Sequence, residues 1–573
     1  MSTKRSTSTK NDVEECTRRI REQLKYLRLD DMASLSHAHS HSGVIGASIG
    51  WVEQAEGNLE HFLHYLYDTW GDVYHTIWRH QKLELQDAFA VLYFATGASL
   101  VLIGIFIWCL LSTAPLPVYL YTLFASGPTG GLSLVNAANP NIFRNLTEEQ
   151  SNAAKERLGE QPDPKGHNPR AFDLDIAKML LQISSLMYER SNEAAKETIK
   201  HVHSHVKNNT DDTETLSRKT SNLSFAAPGN LLAALVGHEN VASILDKHGD
   251  EDGEDAIHEW ARTYDVCYEP VSELSSLSQA YCSLFWDKNG KWVVVAFKGT
   301  DPRSFEEWST DFTARFEDIS EDIPGFKYVH RGFKERLFPS NGLHDQRKPI
   351  DTILAAIKIV CDELATVNVP GTKINVWFTG HSLGTAIATL AYSKSLIQQD
   401  LLGENALLRD AYLYATPITS DIISRNAFNE ALFADKLVPR TMWRVTNRND
   451  FVATGLPSLG DNPEVKDLDP DNLFGFAHLG LEVFMKSRPH PCEIKGTHPA
   501  MVPYELNVHI RSRFTHDEVV AQRAAAVKAG KTVSKLYLLM QDVPLIGRLA
   551  AHASTNYFDQ LDQIAIGGCV DLH

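Results

Sequence analysis

From Ala88 to Phe143 the chain carries no charged side chain. Basic residues are also in deficit, since 55 Lys and Arg against 72 Asp and Glu leave a net charge of −17. A nucleic-acid-binding protein needs a basic face for phosphates, so this deficit argues against that class. It gives no electrostatic help against anionic headgroups either, and any membrane contact has to be mainly apolar. Cysteine is sparse: Cys16, Cys109, Cys267, Cys282, Cys361, Cys492 and Cys569 are scattered and form no C-x-x-C pair. That spacing offers neither a disulfide framework nor a zinc or redox motif. The first residues, MSTKRSTSTKNDVEE, lack the apolar core of a signal peptide, so none is expected.

Within the uncharged run, Ala88–Ser112 is predominantly apolar over 25 residues. As a helix it would be about 37 Å long, enough for a hydrocarbon core of about 30 Å. Pro115 and Pro117 would end such a helix. The apolar remainder is short for an ordinary second span, so one transmembrane helix is expected at 88–112. Arg79 and Lys82 precede it and no Lys or Arg follows before Arg144. The positive-inside bias then puts the N-terminus in the cytosol and the C-terminal part in a lumenal or extracellular space, as in a single-pass endomembrane protein. Sequons at Asn145, Asn208 and Asn222 agree with that orientation.

A chain of 573 residues exceeds one compact core. Residues 1–50 are polar and expected to be flexible. Residues 51–87 carry apolar and aromatic side chains at helical spacing (Phe62, Leu66, Trp70, Ile77), as an amphipathic helix beside a membrane does. Residues 113–170 read as a linker, and a polar insertion is expected around 193–258. The acidic run from His248 to Glu259 has Asp250, Asp252, Gly253 and Glu259 at calcium-loop positions. His248 at the first position breaks that pattern, and no metal site is expected.

From Tyr281 onward, strand-like and helix-like segments alternate, which predicts an α/β fold with a mainly parallel central sheet. Two G-x-S-x-G pentapeptides occur, around Ser48 and around Ser382. Ser48 follows a polar His/Ser stretch, so Gly46 and Gly50 read as a flexible joint. Ser382 follows the β-rich KINVWFTG and precedes the small-residue helix SLGTAIATLAYSKSLI, the setting of a nucleophile elbow. Gly380 and Gly384 are needed there because side chains would strike the neighbouring strand and helix.

A serine needs a base, and the base needs an acid to orient it. In an α/β-hydrolase the order is Ser, acid, His. Asp450 closes the strand-like TMWRVTNRND, with Asp461 as a competitor. The order rule does not choose among His478, His490, His498, His509, His516, His552 and His573.

From about residue 171 to the C-terminus the sequence resembles the class 3 lipases, the α/β-hydrolases that include fungal triacylglycerol lipases. The likeness rests on ordered blocks: VVVAFKGTDPRSFEEWSTDF, VHRGFKERL, VWFTGHSLGTAIA, WRVTNRNDFVATGLP, FAHLGLEVF and HASTNYF. It implies Ser382 as nucleophile, Asp450 as orienting acid and His552 as base, with His478 not catalytic. It implies an oxyanion hole from the backbone N–H of Leu383 and from Thr300, and an interfacial lid around Trp308. Lys298 stands where the family usually has Arg, and YATPITSD is a poor copy of its block.

The expected protein is a membrane-anchored serine lipase acting on tri- or diacylglycerol at a membrane or lipid-droplet surface. It needs no cofactor, metal or nucleic acid. Phospholipase A activity, an inactive membrane scaffold, and a peptidase or acyltransferase on the same fold are the competing readings.

Overall fold

The structure, a computed structural model, describes residues 10–39, 146–163, 170–190, 254–274, 281–288, 290–299, 316–339, 348–434, 440–454, 475–485, 492–495, 508–528, 551–567 and 569–570, with single residues at 99, 438 and 461. Its centre is a nine-stranded sheet. The strands are β1 (Cys267–Ser272), β2 (Cys282–Trp286), β3 (Trp292–Phe297), β4 (Ile374–His381), β5 (Ala406–Tyr414), β6 (Met442–Asn447), β7 (Leu481–Met485), β8 (Cys492–Lys495) and β9 (Cys569–Val570). They lie side by side in chain order. Pairs β3–β4, β4–β5, β5–β6 and β6–β7 are parallel. The β1–β2 and β2–β3 pairs at one edge are antiparallel, as is β7–β8. A mainly parallel α/β sheet is therefore present, and β2 and β3 form an antiparallel hairpin.

Both sheet faces are covered, which is why the central strands read as unbroken apolar runs. In β3, Val293, Val295 and Phe297 join one core while Trp292, Val294 and Ala296 join the other. The first core is closed by helices α1 (Lys10–His39), α3 (Pro349–Val367) and α4 (Leu383–Ile397). The second is closed by α2 (Leu174–Leu186) and by α5 (Ser554–Gly567), which contributes Tyr557, Leu561 and Ile564. Asp173 caps α2, its Oδ1 accepting from the N–H groups of Asp175 and Ile176.

Three boundaries differ from the sequence expectation. The N-terminal segment is not uniformly flexible: Lys10–His39 is a 30-residue helix whose Cys16, Ile20, Leu24 and Leu27 are buried in the first core. The reason is a stripe of one apolar side chain per turn, too narrow to stand out among charges yet wide enough for one seam. The expected linker contains the helix Glu148–Leu158, held by a capping box between Thr147 and Gln150 and burying Ala154 and Leu158. The end of the polar insertion enters the helix Asp255–Thr263, where Ile257 and Trp260 are buried.

Among the described residues no helix is long and apolar enough to cross a membrane. The expected span 88–112, apart from Ser99, and the amphipathic segment 51–87 lie outside the described residues. So do the Ser48 pentapeptide and residues 193–253 of the insertion.

Candidate active site

β4 ends at His381 and α4 begins at Leu383, so the chain reverses at Ser382 alone. Its backbone sits at φ 57° and ψ −132°. Positive φ in a residue with a Cβ is uncommon and costs about 1–3 kcal/mol, which the surroundings must hold in place. The Ser382 N–H donates to Tyr414 O at 3.0 Å, and Ser382 O accepts from the Thr385 N–H at 2.9 Å. Neither flanking glycine has room for a side chain. A Cβ on Gly380 would lie 2.6 Å from the backbone of Gly384, and one on Gly384 would lie 2.3 Å from Phe297 O. Leu383 is the first residue of α4, so its N–H belongs to the unpaired amino end of that helix.

Asp450 follows the end of β6 and is fully buried. Its carboxylate oxygens lie 3.0 and 2.9 Å from His552 Nδ1. Oδ2 also accepts from the Tyr557 hydroxyl at 2.6 Å, and Oδ1 from the Val452 N–H at 2.8 Å. Burial pushes the Asp450 carboxyl up, but His552 and Tyr557 outweigh it and hold the group below the usual carboxylate range. An ionised Asp450 accepts only, so His552 Nδ1 carries a proton toward it. His552 Nε2 is buried and has no hydrogen-bond partner among the described residues. In the neutral ring that nitrogen holds the free lone pair.

His552 stands in the turn Ala551–Ala553 just before α5. Three contacts pin that turn. Asn447 Nδ2 donates to Ala551 O at 3.0 Å, and the Asn447 N–H donates to the Tyr557 hydroxyl at 3.2 Å. The third comes from the elbow itself: His381 Nε2 lies 2.9 Å from His552 O, with the two rings 4.8 Å apart. A carbonyl can only accept, so Nε2 of His381 is the N–H. Burial, and next the neighbouring His552, push the His381 imidazole down to about 3, so it is neutral and its Nδ1 accepts. Its donor is the Tyr188 hydroxyl at 3.1 Å. Tyr188 belongs to the 3-10 turn after α2, and its oxygen would lie 1.8 Å from a Cβ on Gly299. Tyr188, the elbow and the His552 turn thus form one chain of hydrogen bonds.

The competing acid has a different partner. Asp461 Oδ2 is 2.5 Å from His478 Nδ1, and Oδ1 accepts from the His478 N–H at 2.9 Å. Burial opposes ionisation there too, but His478 prevails and brings Asp461 down to about 2. His509 lies in the strand Val508–Arg511 and His516 opens the helix His516–Lys528. His490, His498 and His573 lie outside the described residues, as do Thr300 and Trp308. Among the described residues no three His, Cys, Asp or Glu side chains gather as a metal would require. Sequence reasoning missed His381, Tyr188 and Tyr557. The first stands inside the pentapeptide and the third inside HASTNYF, so both were in view, but nothing local marks Tyr188.

The sequence profile of the family Lipase (class 3) matches residues 294–459, which include Ser382 and Asp450 and stop short of His552. This segment is class 3 lipase-like. Among solved structures, a Rhizomucor miehei lipase propeptide complex is 22% identical with a TM-score of 0.26, covering 40% of this chain and 58% of that one. Lip2 lipase from Yarrowia lipolytica is 19% identical with a TM-score of 0.28, covering 41% and 70%. Lipase II from Rhizopus niveus is 19% identical with a TM-score of 0.27, covering 51% and 91%. The first of these matches thus spans little more than half of its partner's length, and superpositions this loose add nothing to the strand order and site geometry described above.

Proposed function

We propose that this protein is a serine lipase, membrane-attached through residues 88–112, that hydrolyses acyl esters of glycerolipids (tri- or diacylglycerol) at a membrane or lipid-droplet surface. The observation that carries this reading is the Asp450–His552 pair, joined by hydrogen bond to the elbow that bears Ser382, with His552 Nε2 unpartnered among the described residues. The class 3 lipase-like segment supports the choice of lipid esters.

In the reaction, Ser382 Oγ attacks the ester carbonyl carbon while His552 Nε2 takes the hydroxyl proton. Ionised Asp450 keeps the ring oriented and stabilises the imidazolium. The backbone N–H of Leu383 and the donors of Thr300 receive the carbonyl oxygen as it becomes an oxyanion. Collapse of the tetrahedral adduct expels the glycerolipid alkoxide, which takes the proton from His552. Water, deprotonated by the same nitrogen, then releases the fatty acid from the acyl-serine. Water is the only co-reactant, and residues near Trp308 are the lid candidate.

Fatty-acid release from triacylglycerol, diacylglycerol and phosphatidylcholine tests the proposal, with Ser382→Ala and Ser48→Ala beside the wild type. Abolition by Ser382→Ala alone is expected. Preference for phosphatidylcholine would move the assignment to a phospholipase A. Equal inertness of wild type and Ser382→Ala on all three lipids would leave a scaffold.

A further inference from the structure

We infer that the N-terminal helix and the catalytic body lie on the same face of the membrane, so the uncharged run between them enters and leaves from one side. This inference rests on the membrane attachment proposed above and replaces the expected single-pass, lumenal orientation. The decisive feature is where α1 sits. It precedes the uncharged run, and the α/β body follows it, yet α1 is built into that body.

The seam is both apolar and ionic. Cys16, Ile20, Leu24 and Leu27 share the first core with Leu364 and Ile357 of α3 and with Val271 of β1. Arg19 Nε donates to Glu363 Oε2 at 2.9 Å. The buried Arg28 donates to Glu273, whose other oxygen is held by Arg190 at 2.5 Å. The buried Asp31 accepts from Ser272 Oγ at 2.7 Å and from Thr352 Oγ1 at 2.9 Å. Withdrawing α1 to the far side of a bilayer would expose the fully buried Ile20, Leu24 and Leu27. It would also strip Thr352 and Ser272 of their acceptor and Glu273 of one of its two arginines. Losses of that kind rival the whole stability of an ordinary domain.

A chain whose two flanks are joined on one side must bring the run between them back to that side. The uncharged stretch 88–143 is 56 residues; Ala88–Ser112 suffices for one pass, and the shorter apolar remainder suits a re-entrant return to the same side rather than an ordinary second span. Its charged borders agree. Arg79 and Lys82 precede it, and Arg144 follows at once. If the chain re-enters beyond Ser112, Arg144 becomes the flank on the far side of the run, and basic residues at both ends then place both ends in the cytosol by the positive-inside bias. The sequons at Asn145, Asn208 and Asn222 would then face the cytosol and stay unglycosylated. The surface that fits this arrangement is one leaflet presented to the cytosol, with the active site on the leaflet it is anchored in.

The test uses the full chain with a short epitope at each end, in intact microsomes, extracted with alkaline carbonate and, separately, treated with protease from outside. Retention after carbonate, digestion of both epitopes and no shift on deglycosylation are expected. Protection of one epitope with loss of the other would overturn the inference; protection of both would overturn its cytosolic placement, and release by carbonate would overturn the membrane attachment on which it rests. Fatty-acid release by the Ser382→Ala pair is scored separately, so a failed hydrolase assignment is distinguishable from a failed topology.

Discussion

At the scale of single residues, the tautomer of His381 is fixed from both sides, by the carbonyl of His552 and by the hydroxyl of Tyr188. Tyr188→Phe keeps the ring and removes only the O–H, so Nδ1 loses the donor that keeps the proton on Nε2. The His552 turn would then rest on Asn447 alone at its carbonyl side. A fall in kcat of about 3–10-fold with unchanged KM is expected, the worth of one net hydrogen bond acting through position. His381→Gln, which still offers an amide N–H near the same reach, should be insensitive to the added Tyr188→Phe. Nitrogen NMR of the histidines reads the tautomer directly. Wild-type kcat in Tyr188→Phe, or an additive effect in the His381→Gln background, would sink the relay. Ser382 and the two glycines were readable in the sequence because a strained turn leaves a local signature, and Asp450 because it closes a strand-like segment after the serine. His552 needed the resemblance, since a base is chosen by spatial proximity to its acid, and 102 residues separate it from Asp450. Tyr188 lies 193 residues before His381, and no local pattern could join them.

At the scale of elements, the strands of the parallel centre were readable because both of their faces are apolar, whereas α1 was not. Its charged residues dominate the composition, and part of the buried side is itself polar: Thr17, Arg28 and Asp31 are all less than one-tenth exposed. Polar residues buried by pairing are invisible to a hydropathy reading. The seam between α1 and β1 carries a testable consequence in Glu269. Arg21 Nε lies 3.2 Å from its carboxylate, with the glutamate side chain 9% exposed and the arginine 44%. Burial raises the Glu269 carboxyl to about 7, with Arg21 opposing. The unfolded value is near 4.3. Between these the native state binds more protons than the unfolded state, so this group's contribution to stability falls as pH rises from about 4.5 to 7. Glu269→Gln removes that dependence. Urea midpoints of the variant relative to wild type should therefore climb between pH 4.5 and pH 8, by about 1–3 kcal/mol in stability. A gap that stays constant, or narrows, with rising pH would show that Arg21 holds Glu269 ionised throughout.

At the scale of the whole molecule, a reading along the chain divides the protein where it is not divided. Composition sets residues 1–50 apart because they are polar and lie ahead of the uncharged run, but folding returns α1 across more than 200 residues to the edge strand β1. Asp31 meets Ser272 and Thr352, separations of 241 and 321 positions. Contacts so distant are costly to close and are retained only when what they bury outweighs the closure entropy. The α/β body is therefore incomplete without its N-terminal helix, although that helix lies outside every block that resembles the lipases. A chain lacking residues 1–39 should lose stability out of proportion to its length, because Cys267, Val271 and Leu364 lose their cover. Its thermal midpoint should fall by about 5 °C or more, since about 1 kcal/mol moves Tm by about 2–4 °C in a domain of 150–250 residues. The loss should be recovered when Lys10–His39 is supplied as a separate peptide, and recovery should fail for a peptide carrying Leu24→Asp. An unchanged midpoint in the shortened chain would mean that α1 covers the core without holding it, and it would remove the strongest reason to place both flanks of the uncharged run on one side of the membrane.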